Sequence, residues 1–174
     1  MSYIYRFILT LNATSWMIVI YGISKQWTIK NLSVWITGIL LLFVPVLLSF
    51  LSIMVARWLG NDSLKGCQEC SLADNEFIPT YLGYFFVSVS TTDDITMIFL
   101  YVIVFIFTWL SQTQYVNPLY LLFGYHYYHV LTEHGTRIFV IVPGSVIRNK
   151  DGMAFESLKR INDTTYIVMK ERRI

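Results

Sequence analysis

An uncharged run occupies residues 31–56 and reads NLSVWITGILLLFVPVLLSFLSIMVA. Its 26 residues rise about 39 Å as an α-helix, which is more than the roughly 30 Å hydrocarbon core of a bilayer. The apolar residues are continuous and are not spread at the spacing of an amphipathic helix, so the pattern indicates a lipid-facing segment. We therefore predict that a helix at residues 32–57 crosses a membrane.

Three further runs without charged residues lie around this one. Two of them are strongly apolar, whereas the run at residues 77–92 is shorter and contains Ser88, Ser90 and Thr91. Small and hydroxylated residues let helices approach closely, so we expect this helix inside the bundle. The four predicted spans cover residues 7–24, 32–57, 77–92 and 95–112, in a four-helix transmembrane domain at residues 1–114.

The overall composition agrees with membrane insertion. Of the 174 residues, 55% are hydrophobic and only 14% are charged, whereas about 25% are charged in a typical soluble domain. This composition excludes a disordered chain and an ordinary soluble enzyme. The net charge is +2 and the basic residues form no block, so direct binding of nucleic acid is not expected.

Basic residues decide the orientation of the spans. If both termini are cytoplasmic, 11 of the 13 Lys and Arg residues lie on the inner side and only Lys25 and Lys30 lie outside. The positive-inside rule thus predicts a multi-pass protein with both termini in the cytoplasm.

After residue 114 the pattern changes to that of β-structure. The uncharged run 119–131 is only 13 residues long and rich in Tyr, and a second β-like run follows at 137–142, so the two predict a hairpin. A later strand is predicted at 164–169, and Asp151-Gly152 indicates a turn. We therefore predict a β-rich cytoplasmic domain of three to five strands at residues 115–174.

A domain of about 60 residues is near the lower limit for independent stability. We expect it to rest on the spans, on other copies of the chain, or on a soluble partner that adds strands to its edge. The tail is therefore predicted to be an assembly surface. The basic residues expected to contact a partner are Arg137, Arg148, Lys150, Lys159 and Arg160.

Asp93 and Asp94 form an acidic pair in the short turn between the third and fourth spans. In a rotational oligomer they would repeat as a ring, and acidic rings attract cations at pore mouths. The simpler interpretation is that one of them, or Thr92, caps the N-terminus of the fourth helix.

The sequence offers one short cysteine motif, Cys67-Gln68-Glu69-Cys70, in the predicted cytoplasmic loop between spans two and three. Two reduced thiols are the simplest interpretation, and a redox pair or a metal site with His126 and His129 are the alternatives. Residues three apart on a strand point to opposite faces, which argues against that metal site. No catalytic motif accompanies these residues, so we predict neither an enzyme nor a cofactor.

The layout of the chain resembles a known family. Four spans with both ends inside are followed by a tail that contains YVNPLY at residues 115–120 and TRIFVIVP at residues 136–143. This arrangement is similar to that of KwaA, the membrane subunit of the Kiwa antiphage defence system. The resemblance implies a homo-oligomer, a tetramer, in the bacterial inner membrane that detects phage infection and recruits KwaB, a soluble DNA-binding subunit.

Two hypotheses about function follow. In the first, the protein is a membrane sensor and scaffold whose tail passes the state of the envelope to a cytosolic effector. In the second, it is a small oligomeric channel or membrane-permeabilising effector. Its third helix would line the pore, with Asp93 and Asp94 at the mouth.

Overall fold

The fold is described from a computed structural model, which covers residues 2–29, 32–64, 67–111, 116–144 and 155–169. Arg148, Lys150 and the predicted turn at Asp151 lie outside these residues.

Within the described residues of the first part of the chain there are four helices, and each overlaps one of the predicted spans. Among the described residues, three helices are long and apolar enough to cross a membrane. The third helix has 14 residues, two fewer than predicted, and rises only about 21 Å. The helices are α1 (Ser2–Ser24), α2 (Val34–Ala56), α3 (Phe77–Ser90) and α4 (Asp94–Ser111).

Successive helices alternate in direction, so α1 runs antiparallel to α2 and α4 and parallel to α3, and it lies at the centre in contact with all three. In the apolar stretch of α1, 56% of the residues are buried, whereas the corresponding shares in α2 and α4 are 22% and 6%. The two helix turns lie together at one end, where Lys25 Nζ donates to the carbonyl oxygen of Thr92. The other end of the bundle contacts a β-sheet.

The sheet has six strands in the order β1-β5-β6-β4-β3-β2. Neighbouring strands are antiparallel except β4 and β6, which are parallel. The strands are β1 (Asn61–Leu64), β2 (Cys67–Leu72), β3 (Tyr125–Thr132), β4 (Arg137–Pro143), β5 (Phe155–Arg160) and β6 (Thr165–Val168).

The predicted hairpin is confirmed by β3 and β4, and the later strand by β6. The start of the run 119–131 was wrongly predicted as strand, because a short helix α5 (Pro118–Leu122) precedes β3. Asn117 accepts a hydrogen bond from Leu119 N at its start, and Gly124, with φ of 75°, follows its end.

The described tail has four strands, within the three to five predicted, but the sheet includes two more that were not predicted. β1 and β2 come from the connection between α2 and α3, not from the tail. β1 pairs with β5 and β2 pairs with β3, so the loop covers both edges of the four strands contributed by the tail. Strand addition by a partner at those tail edges is therefore blocked in this conformation.

The connection between β1 and β2 requires the sheet to curl. Only Lys65 and Gly66 separate these two edge strands, so the Cα atoms of Leu64 and Cys67 are at most about 11 Å apart. A flat six-stranded sheet is about 24 Å wide. Curling gives an inner face that buries Cys70, Tyr128, Val130, Ile138, Val140 and Leu158.

The outer face of the curled sheet packs against the helices. Its central residues Phe139, Ile141 and Ile167 are in one buried cluster with Tyr5 and Leu9 near the start of α1. Ala56 at the end of α2 belongs to the same cluster. The sheet is thus fixed to the bundle by apolar contact.

Candidate functional site

An aromatic column connects α5 to the sheet. The rings of Tyr120 and Tyr127 are stacked with centroids 6.3 Å apart, and Tyr127 stacks on Phe139 at 5.6 Å. Tyr120 and Tyr127 are completely buried. Stacked and buried rings hold these three elements in one rigid arrangement.

A buried polar network continues from this column into the bundle. Ser49 Oγ on α2 donates to Asn12 Oδ1 on α1 at 3.1 Å, and Asn117 Nδ2 donates to Ser49 Oγ at 3.1 Å. Asn12, Ser49 and Asn117 are all at least 98% buried. Because buried polar groups are costly to leave unpaired, this chain fixes α1, α2 and the start of α5 relative to one another.

Tyr127 and Tyr120 join the column to the network. Tyr127 Oη donates to the carbonyl oxygen of Asn117 and accepts from Asn117 N, both at 2.9 Å. Tyr120 Oη lies 2.6 Å from Ser52 Oγ on α2. Burial raises the pKa of Tyr127 well above its ordinary value and raises that of Tyr120 to about 12, so both phenols are neutral at physiological pH.

We call this set the junction; it comprises Asn12, Ser49, Ser52, Asn117, Tyr120, Tyr127 and Phe139. Its members come from α1, α2, α5, β3 and β4. A displacement of α1 against α2 changes the positions of the groups that Asn117 contacts. The arrangement is therefore suited to mechanical coupling between the helices and the sheet rather than to bond chemistry.

The junction was not predicted from the sequence. Asn12 is the only amide side chain in the run 7–24, and an amide in such a run is a sign of contact between helices. Asn117-Pro118 is a typical helix start. These two signals could have identified two members, but the partnership of Asn117 with Ser49 depends on the tertiary fold.

At the opposite end, the structure separates the roles of Asp93 and Asp94. Asp93 Oδ1 accepts a hydrogen bond from Thr96 N at 2.8 Å, which caps α4 and keeps the pKa of Asp93 below its ordinary value. Asp94 Oδ1 accepts from Tyr21 Oη at 2.7 Å. The cap expected from the sequence is therefore present, and a pore-mouth role stays a prediction.

The basic residues predicted to bind a partner lie at different places on the sheet. Lys159 Nζ donates to the carbonyl oxygen of Leu59 at 2.9 Å, and Arg160 Nη2 lies 2.6 Å from Asp163 Oδ1. Arg137 is exposed on β4, which β6 separates from β5. Lys159 and Arg160 thus share the β5 strand, while Arg137 does not belong to the same patch.

The cysteine and histidine residues are not assembled into one site. His126 Nδ1 lies 2.7 Å from Asp74 Oδ2, and His129 Nε2 lies 2.7 Å from Glu76 Oε1. Cys70 faces the inside of the curled sheet, whereas the ring of His129 packs on Phe139 of the outer face.

Within the residues that the structure describes, no three His, Cys, Asp or Glu side chains are grouped to hold a metal ion. Cys67 is a free thiol whose pKa is raised by partial burial, and Cys70 is buried. The Cys67 thiol is therefore not activated as a nucleophile at neutral pH.

Comparison with known proteins gives one match. A family model described as anti-phage protein KwaA matches residues 5–167. The chain belongs to the KwaA family. The resemblance seen in the tail segments is thereby confirmed, and antiviral defence is the function class of the family. No curated protein matches the chain, and no solved structure does either.

The matched region includes the junction and all the described strands except Val168, the last residue of β6. KwaA is a defence family, and neither the family nor the fold indicates an enzyme. Apolar helices compatible with a membrane precede most of the sheet.

Proposed function

We propose that this KwaA-family protein is a membrane-embedded sensor and scaffold subunit of a bacterial antiphage defence complex. Its four helices span the inner membrane, both termini are cytoplasmic, and the chain assembles as a homo-oligomer. Infection at the membrane displaces the helices, and the sheet passes the change to a soluble DNA-binding effector subunit similar to KwaB.

The exposed apolar surfaces of the helices support membrane insertion. A soluble monomer rarely exposes an apolar surface as continuous as those of α2 and α4. Exposed aromatic residues lie near both ends of the bundle: Tyr3 and Trp58 at the sheet end, and Trp35 at the end with the turns. Aromatic side chains prefer the two headgroup layers.

The sheet supports a four-span topology. β1 follows α2, β2 precedes α3, and β3 follows α4, so these helix ends face the same side. The turn between α3 and α4 contacts the turn between α1 and α2 through Lys25 and Thr92. If α1 and α2 cross the bilayer, α3 and α4 therefore reach the same far side.

The observation that carries the proposal is that the sheet is built jointly by the α2–α3 loop and the tail. The loop supplies both edge strands, and the junction connects the tail to α1 and α2. A movement of α1 or α2 thus changes the sheet directly through these contacts. This is the physical requirement for a sensor whose output surface is cytoplasmic.

The test combines topology with truncation. Reporters fused after Ile174 and within the loop before α3 should both be cytoplasmic. A chain cut after Gln114 should insert into the membrane but lose effector recruitment, because four of the six strands are removed. The uncut chain serves as the folded control, and co-purification with the effector is the measurement.

Native defence by the truncated chain would contradict the scaffold and favour the alternative, a small oligomeric channel or membrane-permeabilising effector. That alternative uses α3 as the pore-lining helix. Ser88 on α3 is completely buried within one chain, which leaves less polar surface for a pore. Single-channel conductance of the purified protein distinguishes the two functions.

A further inference from the structure

A cavity of about 350 Å³ lies where the start of α1 meets the turn between β5 and β6. It lies outside the junction, and Arg160 is the one lining residue that was predicted from the sequence to contact a partner. Its lining residues are Tyr3, Arg6, Gly60, Arg160, Ile161, Asn162 and Asp163.

Arg6 is held in place by aromatic rings. Its guanidinium carbon lies 5.6 Å from the ring centroid of Tyr3 and 5.7 Å from that of Trp109, and Nη2 donates to the carbonyl oxygen of Trp109 at 3.4 Å. Nε is buried and has no hydrogen-bond partner. Among the described residues, no carboxylate forms an ion pair with Arg6.

A positioned guanidinium with unused donors is unusual in a folded protein. Its planar N–H groups match the oxygens of a carboxylate or a phosphate, and buried donors are normally satisfied. Arg6 therefore has the geometry of an anion ligand without a protein anion to bind.

Arg160 provides a second guanidinium in the same cavity. It is bound to Asp163, but this ion pair is solvent-exposed, with side-chain exposures of 52% and 86%. Exposed ion pairs are weak, so Asp163 is a competitor that an incoming anion can displace. The lining carries two positive charges and one negative charge, which leaves a net positive cavity.

The position of the cavity indicates the kind of anion. Tyr3 lies in the first turn of α1, Trp58 follows α2, and Trp109 lies in the last turn of α4. Aromatic residues at three helix ends mark the headgroup layer of a membrane. The phosphates of phospholipids lie at this depth.

We propose that this cavity binds the phosphate group of an anionic phospholipid, with Arg6 as the principal ligand and Arg160 as the second. This inference rests on the proposed function in one respect: the sheet end of the bundle has to lie at the headgroup layer of the membrane. A lipid bound there contacts α1 and the β5–β6 turn at once, so it connects the lipid composition of the inner leaflet to the position of the sheet.

The test uses purified full-length protein in micelles of a neutral detergent, titrated with dioctanoyl phosphatidylglycerol and followed by native mass spectrometry. Dioctanoyl phosphatidylcholine and glycerol 3-phosphate are titrated in parallel. We expect saturable binding of phosphatidylglycerol that Arg6→Gln weakens at least about tenfold, as expected for loss of a charge-assisted hydrogen bond. Asp163→Asn should strengthen binding, because the competing carboxylate is removed.

Arg57→Gln is the matched control. Arg57 is an exposed arginine that directly follows α2 and does not line the cavity, so its replacement should leave binding unchanged. An equal loss in Arg57→Gln and Arg6→Gln would show general attraction to basic surface and would overturn the proposal. Equal binding of glycerol 3-phosphate, or no saturable binding of phosphatidylglycerol, would overturn it as well.

The titration does not depend on orientation in the membrane or on an effector. A reporter result that reverses the topology would contradict the proposed function without altering the binding measurement. Failure of lipid binding with the expected topology would remove only this inference.

Discussion

The two ends of the helix bundle are held together in different ways. At the sheet end, completely buried groups from α1, α2 and the tail form the junction, with stacked rings and side-chain hydrogen bonds. At the turn end, the two helix hairpins are connected by Tyr21 to Asp94 and by Lys25 to Thr92, and the last three of these residues are exposed.

Under the proposed function, this contrast indicates which end of the helix bundle moves first and which end transmits the movement to the sheet. Exposed hydrogen bonds compete with water and contribute little, whereas buried ones are costly to break. The hydrogen bonds of the turn end therefore break with a small loss of free energy, although Met17, Tyr21, Tyr84 and Met97 still pack there as a buried apolar cluster. Under the proposed function, weak hydrogen bonds at the turn end and a rigid junction at the sheet end are suited to a membrane sensor.

The largest effect is expected from the centre of the junction. Tyr127→Ala removes a buried ring from the aromatic column and leaves a cavity, which should lower the free energy of unfolding by about 3–5 kcal/mol. Tyr127→Phe keeps the ring and loses only the bonds to Asn117, at a cost of about 1–3 kcal/mol. Denaturant unfolding in detergent measures both. Equal losses of unfolding free energy in the two variants would show that the aromatic column contributes nothing to stability.

The next effect concerns the polar network. Ser49→Ala removes the group between Asn12 and Asn117 and leaves both buried amides short of a partner, so we expect a loss of about 1–3 kcal/mol. Ser90→Ala on α3 is the matched control, because Ser90 is exposed and bonds only within its own helix. A similar stability for the two variants would contradict the coupling role of the network.

A smaller effect is expected at the turn end. Tyr21→Phe removes the bond to Asp94, keeps the ring and leaves the carboxylate accessible to water. The melting temperature should fall by only about 2 °C. A loss as large as that of Ser49→Ala would remove the distinction between the two ends.

The smallest effect is expected for the cap of α4. The lowered pKa of Asp93 means that its stabilisation is present above its ordinary value of 3.8 and is lost as the pH falls through the lowered value. The small difference in melting temperature between the protein and Asp93→Ala should therefore be present near neutral pH and vanish in acid. Asp93→Asn keeps a capping oxygen and should retain most of the stability at neutral pH. A difference that grows in acid would contradict the cap.

The helices and the tail strands could be predicted from the sequence, because hydropathy and β-propensity depend on neighbouring residues in the chain. The uncharged run at 31–56 contains α2, and the β-like run at 137–142 lies within β4. α3 ended two residues before its predicted boundary, since Thr91 is already extended.

β1 and β2 could not be predicted in this way. Their sequences, NDSL and CQECSL, have little β-propensity, and they are strands because β5 and β3 provide hydrogen-bond partners. The same holds for the junction, where Ser49 and Asn117 are far apart in the chain. The partner role of Arg137, Lys159 and Arg160 and the pore role of Asp93 and Asp94 stay predictions.

The two-residue link between β1 and β2 also dictates an order of events during synthesis. β1 and β2 leave the ribosome with the first half of the chain, but their partners Lys159 and Thr132 follow 98 and 65 residues later. Strands without partners cannot form a sheet. β1 and β2 therefore pair with β5 and β3 only after α3 and α4 are inserted and the tail is synthesised. Closure of the sheet thus comes last, and a chain that stops early exposes unpaired strand segments to chaperones and proteases.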